Sequence, residues 1–258
     1  HGEAKALFVD HTFIDTVKPI VKDLPKDILI IDIYEPSQGQ DDSIGQTDYE
    51  SLLREGSEQF SCEQPKDEWQ ALSLLYTSGT TGDPKGCVYH HRGAYLNSLG
   101  NMQTIGLVRD SVYLWTLPMF HCDGWTFTWA VTAGLATHVC LRQMNPALIF
   151  QLILDQGVTH MCGAPIVLNM LANAPQEEKQ SFPQTVEIAT GGAAPPSAVI
   201  EAMEEHGFHV THLYGLTETY GPATVCIPQV DWPDLSTSKR STRMARQGVH
   251  YGTLEEAS

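Results

Sequence analysis

The run Leu75-Tyr76-Thr77-Ser78-Gly79-Thr80-Thr81-Gly82-Asp83-Pro84-Lys85-Gly86 packs three glycines, four Ser/Thr hydroxyls and one lysine into twelve residues, directly after an apolar stretch. Glycines let a backbone approach a ligand closely and adopt conformations closed to other residues. Hydroxyls and bare N–H groups then point into the vacated space, which is how a chain grips phosphate oxygens without a dedicated side chain for each. The lysine adds a mobile positive charge. A Walker A loop needs four residues between its glycine and its Gly-Lys pair. Here Gly79 is followed by Thr80-Thr81-Gly82, and Lys85 sits between Pro84 and Gly86, so that pattern fails. No G-x-G-x-x-G occurs either. The plain alternative, a Gly/Thr surface turn between two strands, does not call for so many hydroxyls beside a lysine.

Three further segments follow in order: Leu117-Pro118-Met119-Phe120-His121, Gly191-Gly192-Ala193-Ala194-Pro195 and Leu213-Tyr214-Gly215-Leu216-Thr217-Glu218-Thr219. Together with the first run they resemble the adenylate-forming superfamily of acyl-CoA synthetases, peptide-synthetase adenylation domains and luciferases. The resemblance extends from about Ala4 to about Tyr251. It implies that Thr77, Ser78, Gly79, Thr80, Thr81 and Gly82 wrap the β- and γ-phosphates of ATP, with Lys85 adding charge. It also implies that Thr217 bonds the α-phosphate and that Glu218, with Thr81, holds Mg²⁺, a hard cation that prefers oxygen ligands. Tyr214 would stack on adenine, with Gly192, Ala193, Ala194, His212, Leu213 and Gly215 around the base. His121 stands where amino-acid-activating relatives carry aspartate, so it points to an acyl substrate, with Gly215 beside it and Trp125 walling or gating the acyl pocket. Asp123, two residues on, reads as ordinary helix N-terminal chemistry.

Other constellations carry less. His138-x-Cys140 and His160-x-Cys162 each place His and Cys on one face of a strand and imitate a zinc site, without the usual ligand spacings. His90-His91-Arg92 reads as a charged strand-to-helix junction.

The elements that must position these groups alternate. Strands are expected at 6–9, 28–33, 69–76, 87–90, 112–116, 137–141, 159–162, 186–189 and 209–213. Helices are expected at 12–21, 93–104, 122–134, 146–156, 165–173 and 196–206. This alternation predicts an α/β fold of mostly parallel sheets covered by helices, with ligands at the carboxyl ends of the strands. By the resemblance it is part of the layered α-β-α-β-α large domain of adenylate-forming enzymes. Residues 1–226 are expected to form an incomplete N-terminal domain, with 35–68 as an acidic connection of loop and one short helix. Residues 227–258 are expected to be a loop-rich end.

At 258 residues, with 42% hydrophobic and 18% charged residues, the composition is that of an ordinary globular chain. The net charge of −16 opposes nucleic acid or an anionic membrane as partner. Much of it is local: ten acids in 35–68 against Arg54 and Lys66 leave −8 there. The six cysteines form no C-x-x-C pair and read as reduced, buried thiols of a cytoplasmic protein. No apolar run is long enough to span a bilayer, and no secretory signal opens the chain.

The resemblance also implies a later aspartate for the ribose, a hinge, and a lysine in a small C-terminal domain. None can be placed here, so the chain is expected to be an internal piece of a longer enzyme, inactive alone. The parent is expected to be an ATP- and Mg²⁺-dependent acid–CoA ligase with coenzyme A as co-substrate and a homodimeric full-length form. Val88-Tyr89-His90-His91-Arg92-Gly93-Ala94-Tyr95 and Met161-Cys162-Gly163-Ala164-Pro165 resemble the branch that handles short- and medium-chain fatty acids and 3-methylmercaptopropionate. The alternatives are an acyl-adenylating domain that loads a carrier protein and a non-catalytic nucleotide-binding remnant.

Overall fold

The computed structural model describes residues 2–35, 42–77 and 83–254. Ser78, Gly79, Thr80, Thr81 and Gly82, the centre of the hydroxyl-rich run, lie outside the described residues. The chain divides into two compact units, His1–Gln64 and Pro65–Ser258. The division falls inside the acidic segment rather than after residue 226.

In the first unit β1 (Ala6–Asp10), β2 (Leu29–Ile33) and β3 (Thr47–Asp48) form a parallel three-stranded sheet in that order. Val9, Ile14 and Ile30 make its core. The helix expected over 12–21 shrinks to one turn, α1 (Ile14–Val17), between two 3₁₀ segments. Pro19 is the cause: it has no N–H to continue the ladder. Asp48 accepts from Ser51 N and caps α2 (Tyr49–Glu55), the short helix expected in the acidic segment.

The second unit opens with an antiparallel ribbon of β4 (Ala71–Thr77) and β5 (Lys85–His90). Helix α3 (His91–Ile105) follows at once, its N-terminus capped by His90 Nδ1, and ends at Gly106 in the left-handed conformation. The remaining strands are β6 (Val112–Trp115), β7 (Thr137–Cys140), β8 (His160–Gly163), β9 (Val186–Thr190), β10 (Phe208–Leu216), β11 (Gly221–Val225) and β12 (Val249–His250). They form one sheet in the order β12-β11-β10-β9-β8-β6-β7. β10, β9, β8, β6 and β7 run parallel, and β11 and β12 are antiparallel additions.

Alternate residues of these strands feed two cores. Leu114, Met161, Ile188 and Val210 pack against α6 (Pro146–Asp155), α7 (Pro165–Ala172) and α8 (Ser197–Glu205). Tyr113, Trp115, Cys162, Ala189 and Leu213 face α3 and α5 (Phe127–Ala133). Apolar side chains on both faces make these strands rich in Val, Ile, Leu, Met and Tyr, with Glu187, His209, Thr211 and His212 as polar exceptions.

Three expectations are corrected. The helix expected over 122–134 is α5 preceded by α4 (Cys122–Trp125), a turn whose Cys122, Asp123, Gly124 and Trp125 all have positive φ, as does Thr126. The end expected to be loop contains α9 (Thr237–Met244), capped by Ser236, and β12. Only Ser241 and Met244 of α9 are buried, and Arg240 pairs with Glu204 of α8 at 2.6 Å. Its sequence TSKRSTRM holds a single apolar residue, Met244, so hydrophobicity gives little reason to expect a buried helix there. Among the thiols, Cys62 and Cys140 are exposed rather than buried, and all six cysteines are free.

Candidate functional site

The carboxyl ends of β9 and β10 and the chain leaving β6 converge within the second unit. β10 and β11 are joined by a 3₁₀ turn, Thr217–Thr219, and Tyr220 takes the left-handed conformation that closes it. Thr219 Oγ1 accepts from Leu216 N at 2.8 Å and donates to the Gly221 carbonyl at 2.8 Å, so the turn is locked from within.

The ribbon is braced onto this turn. Tyr89 Oη donates to the Thr217 carbonyl at 2.6 Å and Cys87 Sγ lies 3.6 Å from the same oxygen. Tyr89 stacks on Tyr220 at 4.1 Å, and Tyr220 Oη accepts from His90 N at 3.0 Å. Cys122 Sγ lies 3.3 Å from Thr217 Oγ1. Burial raises the pKa of both thiols and of Tyr89, so these groups stay protonated and available as donors. Asp123 accepts from the Ser73 hydroxyl of β4, which ties the turn after His121 to the ribbon. Its role is therefore a tether, not the helix-capping expected of it.

Two adjoining hollows result. The first, about 200 Å³, is lined by His121, Cys122, Trp125, Gly191, Gly192 and the β10–β11 corner from Leu213 to Thr217 with Gly221 and Pro222. The second, about 450 Å³, is lined by Leu74, Leu75, Tyr76, Thr77, Phe120 and again His121, Cys122 and Thr217. The end of the hydroxyl-rich strand thus meets the second turn across a shared hollow.

Of the expected residues, Thr77, His121, Trp125, Gly192, Leu213, Tyr214, Gly215 and Thr217 come together here. Lys85 faces Thr77 across the ribbon and is exposed. Glu218 is exposed in the turn beside Thr217. Ala193 and Ala194 are exposed just beyond Gly192, outside the lining. His212 also stands outside it: the ring is buried and Nδ1 donates to the Arg246 carbonyl at 2.8 Å. Sequence reasoning passed over Cys122, Gly191, Gly221 and Pro222. Gly191 opens a recognised segment and Gly221 and Pro222 follow one, but only the fold turns them inward.

The two His/Cys pairs are engaged elsewhere. β6 lies between β7 and β8 and keeps the pairs apart. His138 Nδ1 accepts from Trp115 Nε1 at 2.9 Å, and His160 Nε2 meets the Ile105 carbonyl at 2.9 Å. Burial holds both imidazoles below the usual histidine range. Arg92 is paired with Glu68 at 2.9 Å, consistent with a junction role for 90–92. Among the described residues no group of three His, Cys, Asp or Glu side chains is arranged to hold a metal. No helix among them is long and apolar enough to cross a membrane.

A family model described as AMP-binding enzyme matches residues 1–249. An acetate–CoA ligase of Humulus lupulus is 43% identical over 99% of this chain and 47% of its own length. A peroxisomal acetate/butyrate–CoA ligase of Arabidopsis thaliana is 46% identical over 83% of this chain and 38% of its own length. The chain therefore spans about half the length, or less, of these curated relatives. The crystal structure of a long-chain-fatty-acid–CoA ligase from Archaeoglobus fulgidus superposes with a TM-score of 0.75 at 21% identity, covering 96% of this chain and 48% of that one.

Proposed function

The chain belongs to the AMP-binding enzyme family, and from that premise we propose that it is the nucleotide- and acid-holding part of an AMP-forming acid–CoA ligase. The observation that carries this reading is the meeting of Thr77, His121 and Thr217 around shared space from distant parts of the sequence. The names of the relatives, acetate–CoA and acetate/butyrate–CoA ligases, support a short-chain acid. Medium-chain and methylthio-propionate-like acids form the outer range of this proposal.

In the proposed reaction a carboxylate oxygen attacks the α-phosphorus of ATP and pyrophosphate leaves. The thiol of coenzyme A then attacks the acyl carbon and AMP leaves. The first barrier is charge, an anion approaching an anion, so catalysis rests on neutralisation and alignment. Residues 77–82 and Lys85 would hold the triphosphate, Thr217 the α-phosphate, and Tyr214 with Leu213, Gly215, Gly192, Ala193 and Ala194 the base. His121 would face the acyl carboxylate.

Magnesium fits this donor set sparsely. Glu218 supplies one exposed carboxylate next to the lining residue Thr217, and Thr81 would supply a hydroxyl. Such a cation keeps several waters and takes phosphate oxygens for the rest. When bound it offsets the charge of the triphosphate.

The reading is tested on the full-length enzyme by acid-dependent ATP–pyrophosphate exchange over a panel of straight-chain acids, then by thioester formation with coenzyme A. Exchange that is strongest with short acids is expected, and no exchange with any acid overturns the proposal. Glu218→Gln should lower exchange by about 100-fold and raise the magnesium requirement; unaltered exchange removes Glu218 from the metal role. The cytoplasmic compartment expected from the thiols stands against a peroxisomal relative, and we propose the peroxisome as the alternative.

A further inference from the structure

The rims of the small hollow are held by a device that no motif marks. Helix α3 buries two carboxamides one turn apart, Asn97 at 4% exposure and Asn101 at none. Asn101 Nδ2 donates to the Trp125 carbonyl at 2.8 Å and to Thr126 Oγ1 at 2.8 Å. Thr126 Oγ1 donates onward to Asn97 Oδ1 at 2.5 Å, and Asn97 Nδ2 donates to the Pro222 carbonyl at 2.6 Å. Asn101 Oδ1 accepts from Tyr251 Oη at 2.9 Å. A single directional relay therefore links the turn carrying Trp125 to the strand start carrying Pro222. Both residues line the hollow, from different elements.

The turn needs such a hold. Five consecutive residues, Cys122 to Thr126, have φ between 47° and 63°, and only Gly124 is glycine. Left-handed backbone costs an ordinary residue about 1–2 kcal/mol, and strain of this kind persists only where the surroundings over-determine it. The bonds at Trp125 O and Thr126 Oγ1 are buried, and Ser98 Oγ reaches the Thr126 carbonyl at 3.4 Å. Buried polar chains of this kind stiffen a site when every member is satisfied.

The geometry points to Asn101, Thr126 and Asn97 as positioning residues that fix Trp125 against Pro222 and so set the fit of the acid in the hollow. This rests on the acid–CoA ligase reading for what occupies the hollow, but the clamp itself can be tested without it.

Three variants separate the outcomes. Thr126→Val keeps the shape and removes the relay hydroxyl; Thr126→Ser keeps the hydroxyl; Asn97→Asp keeps the acceptor for Thr126 but cannot donate to Pro222. The first readout is the indole N–H resonance of Trp125 in the ¹⁵N-labelled chain, assigned with Trp125→Phe. Thr126→Val and Asn97→Asp should shift or broaden that resonance while those of Trp69 and Trp232 stay in place, and Thr126→Ser should match the parent. The second readout is exchange kinetics of the full-length enzyme. Thr126→Val should raise KM for the acid about tenfold with KM for ATP within about twofold, and serine should restore it. An undisturbed Trp125 resonance in both disruptive variants overturns the proposal. So does an equal change at all tryptophans and in both KM values, since that is general loosening. If no acid supports exchange in the parent, the ligase reading falls, and the resonances alone decide the clamp.

Discussion

Gly215 shows how little room a single residue leaves at this site. A Cβ built there would lie 1.8 Å from the Gly221 carbonyl oxygen, where β10 and β11 shift register. Gly215→Ala must push the two strands apart, at a cost of about 1–3 kcal/mol, and narrow the hollow they border. A lower melting temperature with weakened nucleotide binding by calorimetry is the expected result; an unchanged melting curve would contradict the close approach. Thiol chemistry gives a second check at this scale. Cys62 and Cys140 are exposed, whereas Cys122, Cys162 and Cys226 are buried. Burial pushes the Cys162 thiol up to about 12. Brief treatment with iodoacetamide should alkylate Cys62 and Cys140 first, as read by mass spectrometry. The three buried thiols should react only after unfolding.

At the scale of elements, the start of β10 carries a pH-dependent tie to β9. His209 Nδ1 lies 2.6 Å from Glu187 Oε2. The hydrogen bond from Glu187 raises the histidine above its usual value, against burial, with Glu204 adding to the rise and Arg240 opposing it. Because the folded value is raised, the tie contributes fully below the unfolded value of about 6.5 and is lost as pH rises through the folded value. Both side chains are partly exposed, so the contribution stays below about 1 kcal/mol. The melting temperature of Glu187→Gln should trail the parent most at pH 5.5 and converge with it by pH 9; a constant gap would refute this.

The elements also show what could be read beforehand. The run 28–33 announced a strand, because Ile28, Ile30, Ile31 and Ile33 are β-branched. The left-handed turn at 122–126 was illegible, since Cys, Asp, Trp and Thr give no local reason for positive φ; the hold comes from α3, some 25 residues earlier. The inward place of Pro222 was hidden for the same reason, while the convergence of Thr77, His121 and Thr217 was legible because all three sit in dense motifs. Nothing in the sequence sets Asn97 and Asn101 apart, because their partners, Trp125, Thr126 and Pro222, come from distant elements.

For the whole molecule, the division into two units has a simple consequence. Residues 56–70 contain no helix or strand and are exposed throughout. Brief digestion with trypsin, which cleaves after lysine and arginine, should cut at Lys66 before the interior of either unit and leave a large fragment resistant to further attack. Early cleavage within 112–225 would contradict the continuous sheet.

The brace between Tyr89 and Thr217 spans 128 residues. A ribosome adding about 5–20 residues per second needs roughly 6–26 seconds to cover that distance. Throughout that interval the phenol of Tyr89, wholly enclosed in the finished protein, lacks the Thr217 carbonyl that it donates to. A nascent polypeptide stalled before the second turn emerges should therefore bind no nucleotide and should present this ribbon to chaperones.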